Sequence, residues 1–141
     1  MQKKLAKEKG LPVICINSSG KRIKGVIDYS DAGIEEWLGL FINADFIFTN
    51  SFHGTAFAIN FEVPMYVSPL PFSMAGEVNS RLIDVLERYG LGARWIPEMA
   101  DVKCMIDEFD RETLQRKKEE QKRGVHSISK ISTGGLKVYE I

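Results

Sequence analysis

The sequence ADFIFTNSFHGTAF at residues 44–57 decides the fold. Asp45–Thr49 is a short apolar run typical of a buried strand, and Phe52–Phe61 is apolar nearly all round, as an enclosed helix would be. Asn50 and Ser51 lie between the two runs and are residue types that favour helix N-termini. We therefore predict a strand, a tight turn and an enclosed helix in this order.

Similar patterns precede this unit. Pro12–Ile16 is an apolar run that predicts a strand buried on both faces, and Gly25–Asp28 predicts a brief extended piece. Ser30 or Asp31 is then predicted to cap a helix. Its apolar stripe, expected to face a sheet, consists of Ile34, Trp37, Leu38, Phe41 and Ile42.

Patterns after the unit continue the alternation. Pro64–Ser68 predicts a strand, and the Pro-, Gly- and Ser-rich residues 68–78 predict a loop beyond its carboxyl end. Asn79 or Ser80 is predicted to cap the next helix and Gly90 to end it. Arg94–Ile96 predicts a short edge strand.

Strands that alternate with helices of this length predict a Rossmann-like, doubly wound and mostly parallel sheet over residues 1–123. Asp110–Arg123 has mixed charge and Leu114 as its only aliphatic residue, which predicts a solvated helix. Residues 124–141 lose periodicity and are predicted to form a tail. The charged helix predicted at Met1–Gly10 indicates an α/β unit whose first strand is missing; a small domain that begins with a helix is the alternative.

Composition narrows the class of protein. A chain of 141 residues with 19 basic and 19 acidic side chains predicts one domain without nucleic-acid partners. No apolar run is long enough to span a membrane, and the distant Cys15 and Cys104 favour neither a disulfide framework nor a zinc site. We therefore expect a cytoplasmic protein without a metal or cofactor; the histidines, His53 and His126, give little support for a metal site.

The predicted chemistry lies in the turn at residues 50–55. In a parallel sheet the helix start that follows a strand offers bare N–H groups and partial positive charge, so an anion such as phosphate is expected there. Asn50 and Ser51 would cap the helix, Gly54 would allow close backbone approach, and Thr55 would add a hydroxyl donor. His53 would donate to a phosphate oxygen or transfer a proton, or else only cap or pack.

A second candidate group lies at the start of the helix that follows the predicted loop. The guanidinium of Arg81, in the sequence Asn79-Ser-Arg81, is suited to clamp a carboxylate or phosphate with two hydrogen bonds. A role as surface charge is the alternative interpretation.

The stretch ADFIFTNSFHGTAF resembles the signature segment of the polysaccharide pyruvyl transferase family. Asn79-Ser-Arg81 and Tyr89-Gly-Leu-Gly-Ala-Arg94 follow in the family's order, and the likeness extends over residues 27–110. The resemblance implies the carboxy-terminal domain of a GT-B fold, in which an N-terminal domain missing from this chain forms the other wall of a cleft. The full-length protein would be an enzyme, whereas this chain alone is expected to be nearly inactive.

The resemblance also implies ligands and roles. Phosphoenolpyruvate would donate a pyruvyl group to a hexose of a bacterial surface polysaccharide or exopolysaccharide, at the cytosolic face of a membrane to which the protein could bind peripherally. His53 would be the general acid or phosphate ligand, the amides of residues 51–55, including Phe52, would cradle phosphate, and Asn79 and Arg81 would contact substrate. Ser51 stands where better-characterised members have the arginine of an Arg-x-His turn, which leaves the donor open.

Two other functions are compatible with the same residues. One is half of a GT-B glycosyltransferase that binds a nucleotide-sugar diphosphate at the helix start. The other is a non-catalytic anion-binding module. Stabilisation by phosphoenolpyruvate or by nucleoside diphosphates would distinguish the first two.

Overall fold

The structure, a computed structural model, describes residues 2–16, 23–70, 76–96 and 109–131, without the side chains of residues 2, 4, 5, 76 and 124–131. Residues 71–75 of the loop predicted at residues 68–78 lie outside the described residues, and so does Cys104. In chain order the elements are α1 (Gln2–Lys9), β1 (Ile14–Cys15), β2 (Ile27–Asp28), α2 (Ile34–Ile42), β3 (Ile47–Thr49), α3 (Phe52–Phe61), β4 (Met65–Val67), α4 (Gly76–Arg88), a 3₁₀ turn (Gly92–Arg94) and α5 (Arg111–Ile131).

All strand pairs in the described residues are parallel. β1 pairs with β2, and β3 pairs with β4 in the register Ile47↔Met65 and Thr49↔Val67. A parallel bridge from Val67 to Trp95 extends the second pair. The chain is therefore a mixed α/β protein with short parallel two-stranded sheets, in which α3 connects β3 to β4; the doubly wound Rossmann-like sheet stays a prediction.

The central β3, α3 and β4 elements agree closely with the sequence pattern. The observed α3 has the predicted bounds and Ser51 as its N-cap, in extended conformation. The helix ends at Glu62, which takes the left-handed conformation with φ 58°. Because Val63 follows directly and donates its amide to the Ala58 carbonyl at 3.0 Å, the chain turns tightly into β4.

The core lies around β4 and the helices packed against it. Met65 and Val67 of β4, Leu82 and Leu86 of α4 and Leu114 of α5 are each 0 % exposed. The other buried members of this cluster are Ile47, Ala58, Ile59, Val63 and Leu91. α5 is therefore docked through Leu114 and is not the wholly solvated helix that its composition predicted.

The prediction for α2 was correct in type but wrong in two details. Its N-cap is Gly33, whose amide donates to the Glu36 carboxylate at 2.7 Å, whereas the Ser30 hydroxyl donates to Asp28. The ends of the predicted stripe, Ile34 and Ile42, are 82 % and 57 % exposed. The middle of the helix packs on α3 through aromatic rings, so a helix of nine residues leaves its two ends uncovered.

Three boundaries in the second half also differ from prediction. α4 begins at Gly76, so Asn79 and Ser80 lie inside it and do not cap it. Arg94 belongs to the 3₁₀ turn, which leaves Trp95 alone to make the edge bridge. The backbone of α5 stays helical to Ile131, because a helix once started gains a hydrogen bond with each added residue and does not need an apolar stripe.

Gly90 confirms its predicted role at the end of α4. Its φ is 72°, in the left-handed region that favours glycine. The amide of Leu91 then donates to the Leu86 carbonyl at 2.7 Å, which closes the helix end.

Candidate functional site

The turn from β3 into α3 is held together by three short-range side-chain contacts. The Ser51 amide donates to Thr49 Oγ1 at 3.0 Å, and the Gly54 amide donates to Ser51 Oγ at 3.3 Å. The Thr55 hydroxyl donates to the Ser51 carbonyl at 2.9 Å. Ser51 is thus the centre of the turn, both as the predicted cap and as a carbonyl acceptor.

Two amides at the start of α3 remain available to a ligand. Within the described parts of the chain, the N–H groups of Phe52 and His53 have no acceptor, whereas those of Gly54 and Thr55 donate to Ser51. Unpaired amides at a helix start carry the positive end of the helix dipole. The anion cradle predicted from residues 51–55 therefore has two bare amides rather than five.

His53 projects from this turn toward solvent. The residue is exposed, and so are Asn50 and Ser51 on its N-terminal side. Its imidazole lies edge-on to the ring of Phe52, with 6.3 Å between ring centroids and an interplanar angle of 86°. In the described structure the imidazole is accessible to a ligand that occupies the two bare amides.

Gly54 and Thr55 are both buried and serve the packing of the turn. A Cβ on Gly54 would lie 2.5 Å from Thr49 Oγ1, so the glycine is required by β3. Thr55 is 0 % exposed and its hydroxyl already donates within the helix. The sequence does not predict that Gly54 and Thr55 are buried, because the contact with Thr49 depends on how α3 folds back over β3.

Arg81 of α4 reaches the same turn. Its guanidinium carbon lies 4.7 Å from the centroid of the Phe52 ring, within the range of a cation–π contact. Arg81 and His53, which the sequence predicted in separate segments, thus both contact the ring of Phe52.

Asn79 acts on the loop that follows β4. Its side-chain oxygen accepts from the Leu70 amide at 3.0 Å, and its side-chain nitrogen donates to the Leu70 carbonyl at 3.5 Å. Both backbone groups of Leu70 are therefore bound by one side chain. Asn79 therefore holds the loop two residues before Arg81 in α4, a contact that the sequence pattern did not predict.

An open cavity of about 820 Å³ lies elsewhere, between the end of β2 and the start of α2. Its walls include Asp28, Tyr29 and Glu36, and none of its lining residues belongs to the turn at residues 50–55. No group of three or more potential metal-ligating side chains occurs among the described residues. The candidate site is accordingly the exposed turn itself.

These features define a class: an α/β protein in which a parallel strand runs into a helix whose exposed N-terminus is suited to an anion. The model of the family described as polysaccharide pyruvyl transferase matches residues 2–68, and over these residues the chain is similar to that family. The match includes the whole turn but ends before Asn79-Ser-Arg81, whose resemblance to the family stays a prediction. No curated protein and no solved structure matches the chain significantly.

Proposed function

We propose that this chain is the carboxy-terminal, Rossmann-like domain of a two-domain GT-B enzyme that transfers a pyruvyl group from phosphoenolpyruvate to a saccharide. The observation that carries the proposal is an exposed histidine beside two bare helix-start amides, inside the segment that matches the family. The domain would comprise residues 1–123. The acceptor would be a hexose of a bacterial surface polysaccharide, modified at the cytosolic face of the membrane.

The reaction requires both anion binding and proton transfer. His53 would protonate the methylene carbon of phosphoenolpyruvate or bind the departing phosphate. The first sugar hydroxyl then bonds to C2, the second displaces phosphate by cleavage of the C2–O bond, and a pyruvate ketal results. Of the two hydroxyl protons released, one restores the proton that the acid gave to the methylene carbon and the other leaves with phosphate. The reaction therefore balances without an oxidant or a metal.

The amides of Phe52 and His53 suit the phosphate in this reaction. They point from the start of a helix of ten residues, where a negative group is stabilised by the dipole. Asn50 and Ser51 are exposed around them and complete the polar edge of the turn. Ser51 stands where better-characterised members of the family have an arginine. In this chain Arg81 of α4 brings a guanidinium to the turn instead.

The chain's two histidines provide a matched test by ligand binding. We expect phosphoenolpyruvate to raise the melting temperature of this chain, and His53→Ala to weaken its affinity by about tenfold or more, as expected for the loss of a hydrogen bond to a charged group. His126→Ala is the control and should bind as tightly as the unmodified chain. The measurement is thermal shift across a ligand titration.

The same titration separates the alternative functions. Stabilisation by nucleoside diphosphates but not by phosphoenolpyruvate would overturn the proposal in favour of a nucleotide-sugar glycosyltransferase. Equal binding of inorganic phosphate and phosphoenolpyruvate would instead indicate an anion-binding module with no preference for this donor. Binding that survives His53→Ala unchanged would remove His53 from the site.

No helix in the described part of the chain is both long and apolar enough to cross a bilayer. Peripheral association with the membrane and a cytoplasmic location are parts of the proposal, since both follow from modification of the saccharide at the cytosolic face of the membrane. Co-sedimentation of the chain with anionic vesicles tests the peripheral association.

A further inference from the structure

Phe52 contacts two polar side chains from different helices. The Arg81 guanidinium lies over its ring at 4.7 Å, and the His53 imidazole meets it edge-on at 6.3 Å. The ring itself is half-buried and packs against the core of the protein. It is therefore a fixed surface, whereas both of its polar neighbours are exposed.

The Arg81 guanidinium makes no ion pair and donates no hydrogen bond within the described residues. Among the described residues, its contact is with the aromatic face of Phe52. An aromatic contact holds the cation without using its N–H donors, whereas a carboxylate partner would engage them. Within the described residues, the N–H donors of Arg81 thus stay available over the ring of Phe52, a residue whose own amide is unpaired.

A cation held in this way lowers the cost of binding an anion, because the flexible arginine side chain is already ordered. The start of α3 offers unpaired amides to one negative group, and the Arg81 guanidinium over the Phe52 ring offers donors to a second. A single phosphate group does not need both the start of α3 and Arg81. The arrangement suits a small ligand with two anionic ends, such as a phosphate and a carboxylate.

We propose that Phe52 is a positioning residue, which holds the guanidinium of Arg81 beside His53 so that Arg81 binds the second anionic group of the donor. This inference rests on the proposed function and makes it more specific. The helix start binds the phosphate end, and the pair Phe52 and Arg81 selects donors that also carry a carboxylate.

The test compares two ligands on the intact chain by isothermal titration calorimetry: inorganic phosphate, with one anionic group, and phosphoenolpyruvate, with two. Arg81→Gln should weaken phosphoenolpyruvate by about tenfold or more, since a charge-assisted pair is lost. Phe52→Leu should weaken it by about two- to fivefold, in line with an exposed cation–π contact. Phosphate affinity should stay unchanged in both variants, and Phe52→Tyr should restore the affinity for phosphoenolpyruvate.

A spectroscopic signature separates positioning from a merely structural role. The ring current of Phe52 should shift the NMR signals of the Arg81 side chain, and this shift should disappear in Phe52→Leu and persist in Phe52→Tyr. Thermal unfolding identifies any variant that fails to fold; Arg81→Gln, exposed and outside the core, then tests the second anionic contact by itself.

The outcomes distinguish the two proposals. If the unmodified chain binds neither ligand, the proposed function fails. If it binds phosphoenolpyruvate but Phe52→Leu and Arg81→Gln weaken both ligands equally, or neither ligand, the positioning role is overturned while the proposed function stands.

Discussion

The chain before Ile47 and the chain after it differ in burial although their apolar patterns are similar. None of the described residues before Ile47 is buried, whereas β4, α3 and α4 supply most of the core. Among the residues whose side chains are described, the exposed large hydrophobic ones all lie in the first region: Ile14, Ile16, Ile23, Ile27, Tyr29, Ile34 and Ile42. An apolar stripe in a sequence thus predicts an element and its orientation but not how completely the element is covered.

The physical difference is the number of layers around each strand pair. β4 is covered by α3 and α4, and Leu114 of α5 completes the cluster, so Met65 and Val67 are 0 % exposed. In the first region Trp37 and Phe41 of α2 contact the ring of Phe57 on α3, and Phe41 packs against the edge of the core, but neither residue is buried. Three predictions follow from this contrast, from the largest effect to the smallest.

The largest effect is expected from truncating the buried face of α4. Leu86→Ala should lower the free energy of unfolding by about 2–5 kcal/mol, because it removes a buried side chain and leaves a cavity. The matched control is Ile34→Ala on α2, where 82 % of the residue is exposed, with an expected change within about 0.5 kcal/mol. Urea unfolding followed by circular dichroism measures both.

Similar losses of stability in Leu86→Ala and Ile34→Ala would contradict the difference in burial between the two regions. A large loss at Ile34 would mean that α2 is buried in solution and that the exposure seen here does not hold. A small loss at Leu86 would mean that the cluster around β4 is loosely packed and relaxes around the missing side chain.

Much of the second region was predictable from the sequence, because its elements begin and end with strong local signals. Ser51 as N-cap, the bounds of α3 and the left-handed Gly90 are local features and are confirmed. The start of α4 was wrong because Asn79, a good cap by type, is used to hold Leu70. Competing uses of one polar side chain are not visible in a single sequence.

The residues of the candidate site stay a prediction, in which local composition indicated the turn, His53 and Arg81. The contacts among them could not be predicted from the sequence. The stacking of Arg81 on Phe52 joins residues of different helices, so it depends on the angle at which α4 packs on α3. Burial of Thr55 and the Thr49 contact of Gly54 are likewise tertiary, and both were predicted to face a ligand.

A pair of helix glycines gives the second prediction. Gly54→Ala should destabilise the chain by about 1–3 kcal/mol, because the new methyl group would overlap Thr49 and force the β3–α3 turn to move. Gly39→Ala on α2 is the control, since nothing lies within 4 Å of the added Cβ. Alanine there should stabilise the helix by about 0.5–1 kcal/mol.

If the change in stability is negative for Gly54→Ala and positive for Gly39→Ala, the contrast between a closely packed helix and an open helix is supported. If Gly54→Ala is neutral, Thr49 can rotate away and the turn is not held by this contact. The double variant with Thr49→Ser, which removes a methyl group but keeps the hydroxyl, should still be destabilised, because the closest approach is to Oγ1.

The smallest effect concerns the ionic contact that joins α5 to the end of α3. The Gln115 amide and the Lys118 ammonium each donate a hydrogen bond to the Glu62 carboxylate at 2.9 Å. These bonds, the one from Gln115 most, lower the pKa of Glu62 below the ordinary glutamate value. A lowered pKa in the folded state means that the contact stabilises the fold above the unfolded-state pKa of about 4.3 and is lost as the pH falls through the folded value.

Glu62→Gln should therefore lower the free energy of unfolding by less than about 1 kcal/mol at neutral pH, because the pair is partly exposed, and the difference from the unmodified chain should vanish in acid. Urea unfolding across pH measures it. Glu120→Gln is the control, since the ion pairs of Glu120 within the described structure are with Arg116 and Lys117 of the same helix. A difference that persists below the folded pKa of Glu62 would show that α5 is held by Leu114 and by side-chain shape, with no contribution from this charge.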